Sequence, residues 1–264
     1  MNPSAQLRSR ALRGLTRLRR SPHLVRGELT ISGGITVGMR LRGRYVPCTH
    51  PQAYELVRGS VEPDVQEALR RTIASGAVIW DVGANIGFIS LVAARLAGPE
   101  GRVYAIEPAP DNAAAVREHA AINDLGGVID VVEAAAGDSA GPAEFLLVSE
   151  PSWSHLAERG HHRLTESAVE VKVVRLDTLV DADQIAPPSV VKIDVEGSEG
   201  AVLRGMEQTI ATHRPAIICE LHKTNDEVMD LLEGAGYRVE NLSGPEGVRT
   251  AGAVHLLARP NSPP

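Results

Sequence analysis

Between residues 77 and 134 the chain switches twice from a short unbroken apolar run to a segment with helical spacing. Ala77-Val-Ile-Trp-Asp-Val82 is the kind of run that a strand buried on both faces needs. Residues 86–97 then carry apolar side chains at helical spacing and stop at Gly98-Pro99. Residues 102–106 repeat the strand signal, and 110–123 the helix signal with Pro110 in its first turn. Residues 128–134 give a third strand. This β-α-β-α-β order requires parallel strands joined by right-handed crossovers. Strands at 190–194 and 216–221 and helices at 198–212 and 225–235 extend it. Residues 237–241 and 253–258 close it as an antiparallel pair around Gly244-Pro245-Glu246-Gly247. The expected fold is α/β, a doubly wound and mostly parallel sheet.

Upstream, residues 61–74 read as a helix, with Val65, Leu69 and Ile73 spaced by four and the acids Glu62 and Asp64 at its start. Residues 28–58 read as short strands broken by Gly33-Gly34, Gly38 and Gly43, then interrupted by Pro47 and Pro51. The expected division is a basic arm with a β-rich lead-in over 1–53 and the main domain over 54–260. Strands at 143–148 and 169–174 flank a polar stretch, 149–167, that holds Trp153, His155, His161 and His162. A segment of that length inside a compact domain is functional or disordered.

Composition narrows the class. With two Trp, two Phe and four Tyr, the core must come from Val, Leu, Ile and Ala, which suits a parallel sheet flanked by helices. The two cysteines, Cys48 and Cys219, form neither a disulfide framework nor a paired-cysteine metal site, and suit a reducing cytoplasm. No apolar run reaches the length of a transmembrane helix. Seven of the 27 Lys and Arg lie in residues 1–26, with no acid among them; the other 20 face 33 acids, a net of −13. Such an acidic body argues against nucleic acid as a partner. The arginine-rich arm lacks the apolar core of a secretory signal. A solvated arm, an anionic-surface contact and a transit peptide all remain open readings.

The chemistry-bearing residues follow successive strands. Asp81-Val-Gly83-Ala84-Asn85-Ile-Gly87 joins the first strand to its helix at the edge where doubly wound sheets bind ligands. A nicotinamide fingerprint would place glycines where Asn85 and Phe88 stand. An acid such as Asp81 repels a pyrophosphate but suits a cationic amino-acid group, and S-adenosylmethionine carries an ammonium and no phosphate. Glu107 ends the next strand, where a carboxylate can accept both ribose hydroxyls. Ala136-Gly-Asp138 follows the third strand, and Asp138 can accept from an adenine amine; a plain turn is the alternative. Lys192-Ile-Asp194-Val-Glu196-Gly197-Ser-Glu199 follows the fourth, with Glu199 suited to capping the next helix. Cys219-Glu220-Leu-His222 ends the fifth, and Glu220 and His222 share one face.

These stretches, with Leu176-Asp177-Thr-Leu179, resemble the FkbM family of methyltransferases over roughly residues 54–240. The resemblance implies a class I, Rossmann-like methyltransferase fold with a seven-stranded sheet and S-adenosylmethionine as donor. It also implies methylation of a hydroxyl on a sugar or natural-product scaffold. By position, Asp81, Gly83, Ala84, Asn85 and Gly87 line the methionine end, Glu107 holds the ribose and Asp138 faces the adenine. Where many relatives carry a serine-rich stretch, this chain has Ser152-Trp153-Ser154-His155.

Methyl transfer to a hydroxyl needs alignment and a proton acceptor. His222 is the candidate base, its ordinary pKa of ~6.5 lying near neutral pH. Asp194 orients the acceptor or shares the proton. Alternatively, Asp194 and Glu220 hold a divalent ion that polarises the acceptor oxygen; if it is Mg²⁺, His222 is a poor ligand. The rival functions are an NAD-dependent oxidoreductase, a methyltransferase acting on an amine, and a binding module without turnover. A homo-oligomer is compatible with the sequence.

Overall fold

The parallel sheet forms because its strands present apolar residues to both sides, and the alternation decides which side each one covers. The computed structural model describes residues 27–46, 51–148, 155–156, 165–252 and 254–261. The arginine-rich arm, Cys48 and most of the 149–167 stretch, with Trp153, His161 and His162, lie outside the described residues.

The chain opens with an antiparallel pair, β1 (Glu28–Thr30) and β2 (Arg40–Arg42), followed by helices α1 (Pro51–Arg58) and α2 (Pro63–Thr72). Then come β3 (Val78–Val82), α3 (Phe88–Ala97), β4 (Arg102–Ile106), α4 (Pro110–Ile122) and β5 (Ile129–Val132). A short β6 (Ala135–Ala136) leads to β7 (Gly141–Val148), β8 (His155–Leu156), β9 (Thr165–Val174) and helix α5 (Leu176–Asp181). The chain finishes with β10 (Val190–Ile193), α6 (Glu199–Gly205), α7 (Glu207–His213), β11 (Ala216–Leu221), α8 (Asn225–Gly234), β12 (Tyr237–Asn241) and β13 (Val254–Pro260).

Seven strands make one sheet in the order β12-β13-β11-β10-β3-β4-β5. β3, β4, β5, β10 and β11 run parallel, and β13 runs antiparallel between β11 and β12. The order reverses between β3 and β10, so a crevice opens at their carboxyl ends. A second, four-stranded sheet has the order β6-β9-β7-β8.

Two apolar layers cover the main sheet. Ile79, Val190, Ile218 and Leu257 face α2, α3 and the lead-in residues Ile31, Leu41 and Val46. Trp80, Val191, Ile193, Ile217 and Cys219 face Leu176, Leu203, Met206, Val228 and Leu232 on the other side. Among the described residues no helix is long and apolar enough to cross a membrane.

Two differences from the sequence reading have a clear physical cause. Residues 51–58 form a helix rather than part of a β-rich lead-in, because Pro51 opens its first turn instead of interrupting a strand. The helix expected over 198–212 breaks at Met206 into α6 and α7. Gly205, at the end of α6, lies so close to the turn after β6 that an added Cβ would sit 2.0 Å from the Gly137 carbonyl oxygen. The new N-terminus of α7 is capped from a distance: Asp177 accepts the Gln208 and Thr209 N–H groups at 3.0 and 2.9 Å and the Thr209 hydroxyl at 2.7 Å. Replacing Asp177 with Ala leaves buried donors unpaired, at a cost of about 2–3 kcal/mol. The expected fall in Tm is about 5–10 °C. An unchanged melting curve would contradict the capping role.

Candidate functional site

One face of the sheet changes character at its carboxyl end. Below, Ile79, Val190, Ile218 and Leu257 are apolar and buried. Two residues further along the same faces stand Asp81, Lys192 and Glu220, with His255 opposite Glu220 on β13. Asp194 and His222 continue the rows just past β10 and β11. The N-terminus of α2, which packs on β11 and β13, brings Glu62 and Asp64 to the same place.

The turn after β3 sits against the end of β10. Gly83 has φ +80°, and a Cβ there would fall 1.7 Å from the Asp194 carbonyl oxygen. Asn85 is also left-handed, at φ 51°, and its N–H donates to Glu107 Oε2 at 2.8 Å. The Ala109 N–H donates to Glu107 Oε1 at 2.9 Å. Glu107 is thus fixed at the end of β4, only 4% exposed, and burial pushes its carboxyl up to about 6 against these hydrogen bonds. Oε1 also accepts the Asn112 amide at 3.4 Å, and Oε2 keeps a lone pair for a further donor. Asp81 accepts the Ser90 hydroxyl at 2.5 Å on one oxygen, while the other oxygen and Asn85 Oδ1 are buried with no hydrogen bond among the described residues. Unpaired acceptors beside a turn that a Cβ would fill suit the ammonium end of S-adenosylmethionine. Asp138 follows β6, and its carboxylate accepts from Arg204 Nε at 2.9 Å.

Asp194, Glu220 and His222 do come together, each offering a ligand atom within 4.8 Å of the others. Lys192 lies 3.2 Å from Asp194 and 3.9 Å from Asp81, and these acids with Glu62 hold its ammonium charged despite burial. His222 is surrounded by carboxylates. Nδ1 lies 3.0 Å from Glu199 Oε1, and Nε2 lies 3.3 Å from Glu196 and 3.5 Å from Glu220. Burial opposes the imidazolium, but Glu199, Glu220, Glu196 and Asp194 together push its pKa up to about 11. The surrounding carboxylates thus favour the protonated ring. Burial and the neighbouring acids push Glu196 up to about 8 and Glu62 to about 7. Glu220 is held well below the carboxylate range by His222 and His255, against its burial. His255 bridges Glu220 at 3.2 Å and Asp64 at 2.8 Å, which lift it to about 9 although burial works the other way.

The sequence reading missed Glu62, Asp64, Lys192 and His255 as members of this cluster. The signal for Lys192 was present: a charge inside the run Val190-Val-Lys-Ile193 must find a buried partner. Glu199 carries more than a helix cap, since it also accepts from the Gly197 N–H and the Thr224 hydroxyl.

Fold, switch-point crevice and strand-end acids define a class I S-adenosylmethionine-dependent methyltransferase. Residues 81–239 match the model of the methyltransferase FkbM domain, and the chain belongs to the FkbM methyltransferase family. It is 32% identical over 182 residues to the hexuronic acid methyltransferase AglP of Haloferax volcanii, covering 68% of this chain and 71% of that one. It is 33% identical over 192 residues to the 31-O-demethyl-FK506 methyltransferase FkbM of Streptomyces tacrolimicus, covering 62% of this chain and 74% of that one. Among solved structures, methyltransferase FkbM from Methylobacillus flagellatus KT aligns at 16% identity with a TM-score of 0.48, over 94% of this chain and 59% of that one. The oxidoreductase reading gives way to the family match.

Proposed function

We propose that this methyltransferase transfers its methyl group to a hydroxyl on a sugar or natural-product scaffold. The observation that carries the reading is the contact between the two halves of the site. Gly83 of the donor turn touches the backbone of Asp194, whose carboxylate lies with Glu220 and His222. A donor held at the turn and an acceptor held at the cluster are then neighbours. The names of AglP and FkbM, a hexuronic acid methyltransferase and a 31-O-demethyl-FK506 methyltransferase, support a hydroxyl-bearing acceptor.

S-adenosylmethionine supplies a methyl group already activated on a positively charged sulfur. The protein supplies alignment and a destination for the acceptor's proton. Asp81, Asn85 and the backbone of Gly83, Ala84 and Gly87 hold the methionine end. Glu107 accepts the ribose hydroxyls, and Asp138 faces the adenine. Asp194, partly open to solvent and bonded to Lys192 through one oxygen, takes the proton. His222, held between Glu199 and Glu220, fixes the carboxylates around it.

The test offers methyl-labelled S-adenosylmethionine with uronic acids, deoxysugars, macrocyclic polyols and amines. Label in an alkali-stable ether is the expected product; label on nitrogen alone would overturn the reading. Asp194→Asn should lower kcat by ~10²–10⁴-fold with donor affinity retained.

A further inference from the structure

We propose that Asp194, Glu220 and His222 form a binding site for one divalent first-row cation, represented by Mn²⁺. The inference rests on the reading of this cluster as the acceptor end, and adds a ligand set to it. The three ligand atoms come from the ends of β10 and β11 and lie within 4.8 Å of one another. Three equidistant donors bound at about 2.0–2.2 Å from a common ion lie at most about 3.8 Å apart, so the cluster tightens by up to about an ångström to seat the ion.

The imidazole is oriented for this task. His222 Nδ1–H donates to Glu199, whose carboxylate is fully buried and fixed by the Gly197 N–H and the Thr224 hydroxyl. Nε2 is thereby turned toward Glu220 and Glu196. A carboxylate that fixes one ring nitrogen while the other faces the centre is the usual outer support of a metal-bound histidine.

An independent observation comes from a different element. Glu62, at the start of α2, has Oε2 buried with no hydrogen-bond partner among the described residues. Its electrostatic neighbours are Asp194, Glu220, Lys192 and His255. A buried acceptor without a donor is costly unless something positive occupies the space it faces. The mixed ligand set selects the metal class. Mg²⁺ favours oxygen donors alone, whereas first-row divalent ions accept an imidazole beside carboxylates, and Mn²⁺ among them suits the carboxylate-rich set. In that position the ion would orient and polarise the acceptor hydroxyl, and its proton would pass to solvent water rather than to Asp194.

The test uses the full chain after chelation, titrated with Mn²⁺ and followed by the resonance of the free ion. The expected result is one Mn²⁺ per chain, weakened at least ~10-fold in Asp194→Asn and in Glu220→Gln, and ~10–100-fold in Glu199→Gln. Glu67→Gln, on the exposed side of α2, should bind like the parent. Spin-echo modulation of the bound ion should show a coordinated nitrogen in the parent protein, which decides the matter even if a variant fails to fold. No saturable binding up to about 1 mM, unchanged binding in both carboxylate variants, or no coordinated nitrogen would overturn the proposal. S-adenosylhomocysteine binding is measured on the same samples. Nucleoside binding without metal binding removes the ion and keeps the methyltransferase reading. Metal binding without nucleoside binding does the reverse.

Discussion

Gly83→Ala is expected to abolish donor binding and turnover while leaving most of the sheet folded. The glycine holds φ +80°, where an L side chain costs about 1–2 kcal/mol. The steric demand is larger. Its added Cβ would lie 1.7 Å from the Asp194 carbonyl oxygen, which is backbone and cannot rotate away. Either the turn after β3 or the end of β10 must move by more than an ångström. Both outcomes damage the site, because the first carries Asn85 and its bond to Glu107 and the second carries Asp194. A displacement of that size costs on the order of 10²-fold in a reaction that depends on alignment. Calorimetry against S-adenosylhomocysteine should show an affinity at least ~100-fold weaker. Parent-like affinity and turnover in a folded Gly83→Ala protein would show that the close approach does not position the site.

Glu107→Gln is expected to have a comparable effect by a different route. Both carboxylate oxygens already accept backbone N–H groups, from Asn85 and Ala109. An amide must turn its NH₂ toward one of these donors, leaving two donors face to face in a buried place. It also offers one acceptor where two ribose hydroxyls need two. Hydrogen bonds to a charged acceptor are each worth about 1.5–3 kcal/mol, so a loss of at least ~100-fold in affinity follows. The same carboxylate gives a pH dependence. Burial raises its pKa from 4.5 to about 6 in the folded protein. Below that value it is protonated and accepts poorly, so donor affinity should fall as pH drops from neutral through about 6. The unliganded protein responds in the opposite sense. Its stability contribution from Glu107 is fully present below the unfolded value of 4.5 and is lost as pH rises through about 6. Affinity that stays flat across this range would separate Glu107 from the donor.

What the sequence disclosed is tied to periodicity. Runs such as Ala77–Val82 and Val190–Ile193 announce buried strands because both of their faces are covered, and strand-end residues such as Asp81, Glu107 and Asp194 inherit their places from that order. Long-range contacts leave no such trace. The break at Met206 depends on Gly205 meeting the turn at Gly137 and on Asp177 reaching α7 from another element. Glu62 and Asp64 looked like acids favourable to a helix start, and only the packing of α2 on β11 and β13 turns them toward His255 and Lys192. The crowding of carboxylates around His222 was equally hidden, since Glu196, Glu199 and Glu220 converge on it from the ends of β10 and β11.

The most direct check is isothermal calorimetry of the purified full chain with S-adenosylhomocysteine, with NAD as the control. Saturable uptake of one nucleoside per chain at micromolar concentration, with no heat from NAD, is the expected result. A folded protein that takes up neither S-adenosylhomocysteine nor S-adenosylmethionine would contradict the assignment of these strand-end acids to a sulfonium donor.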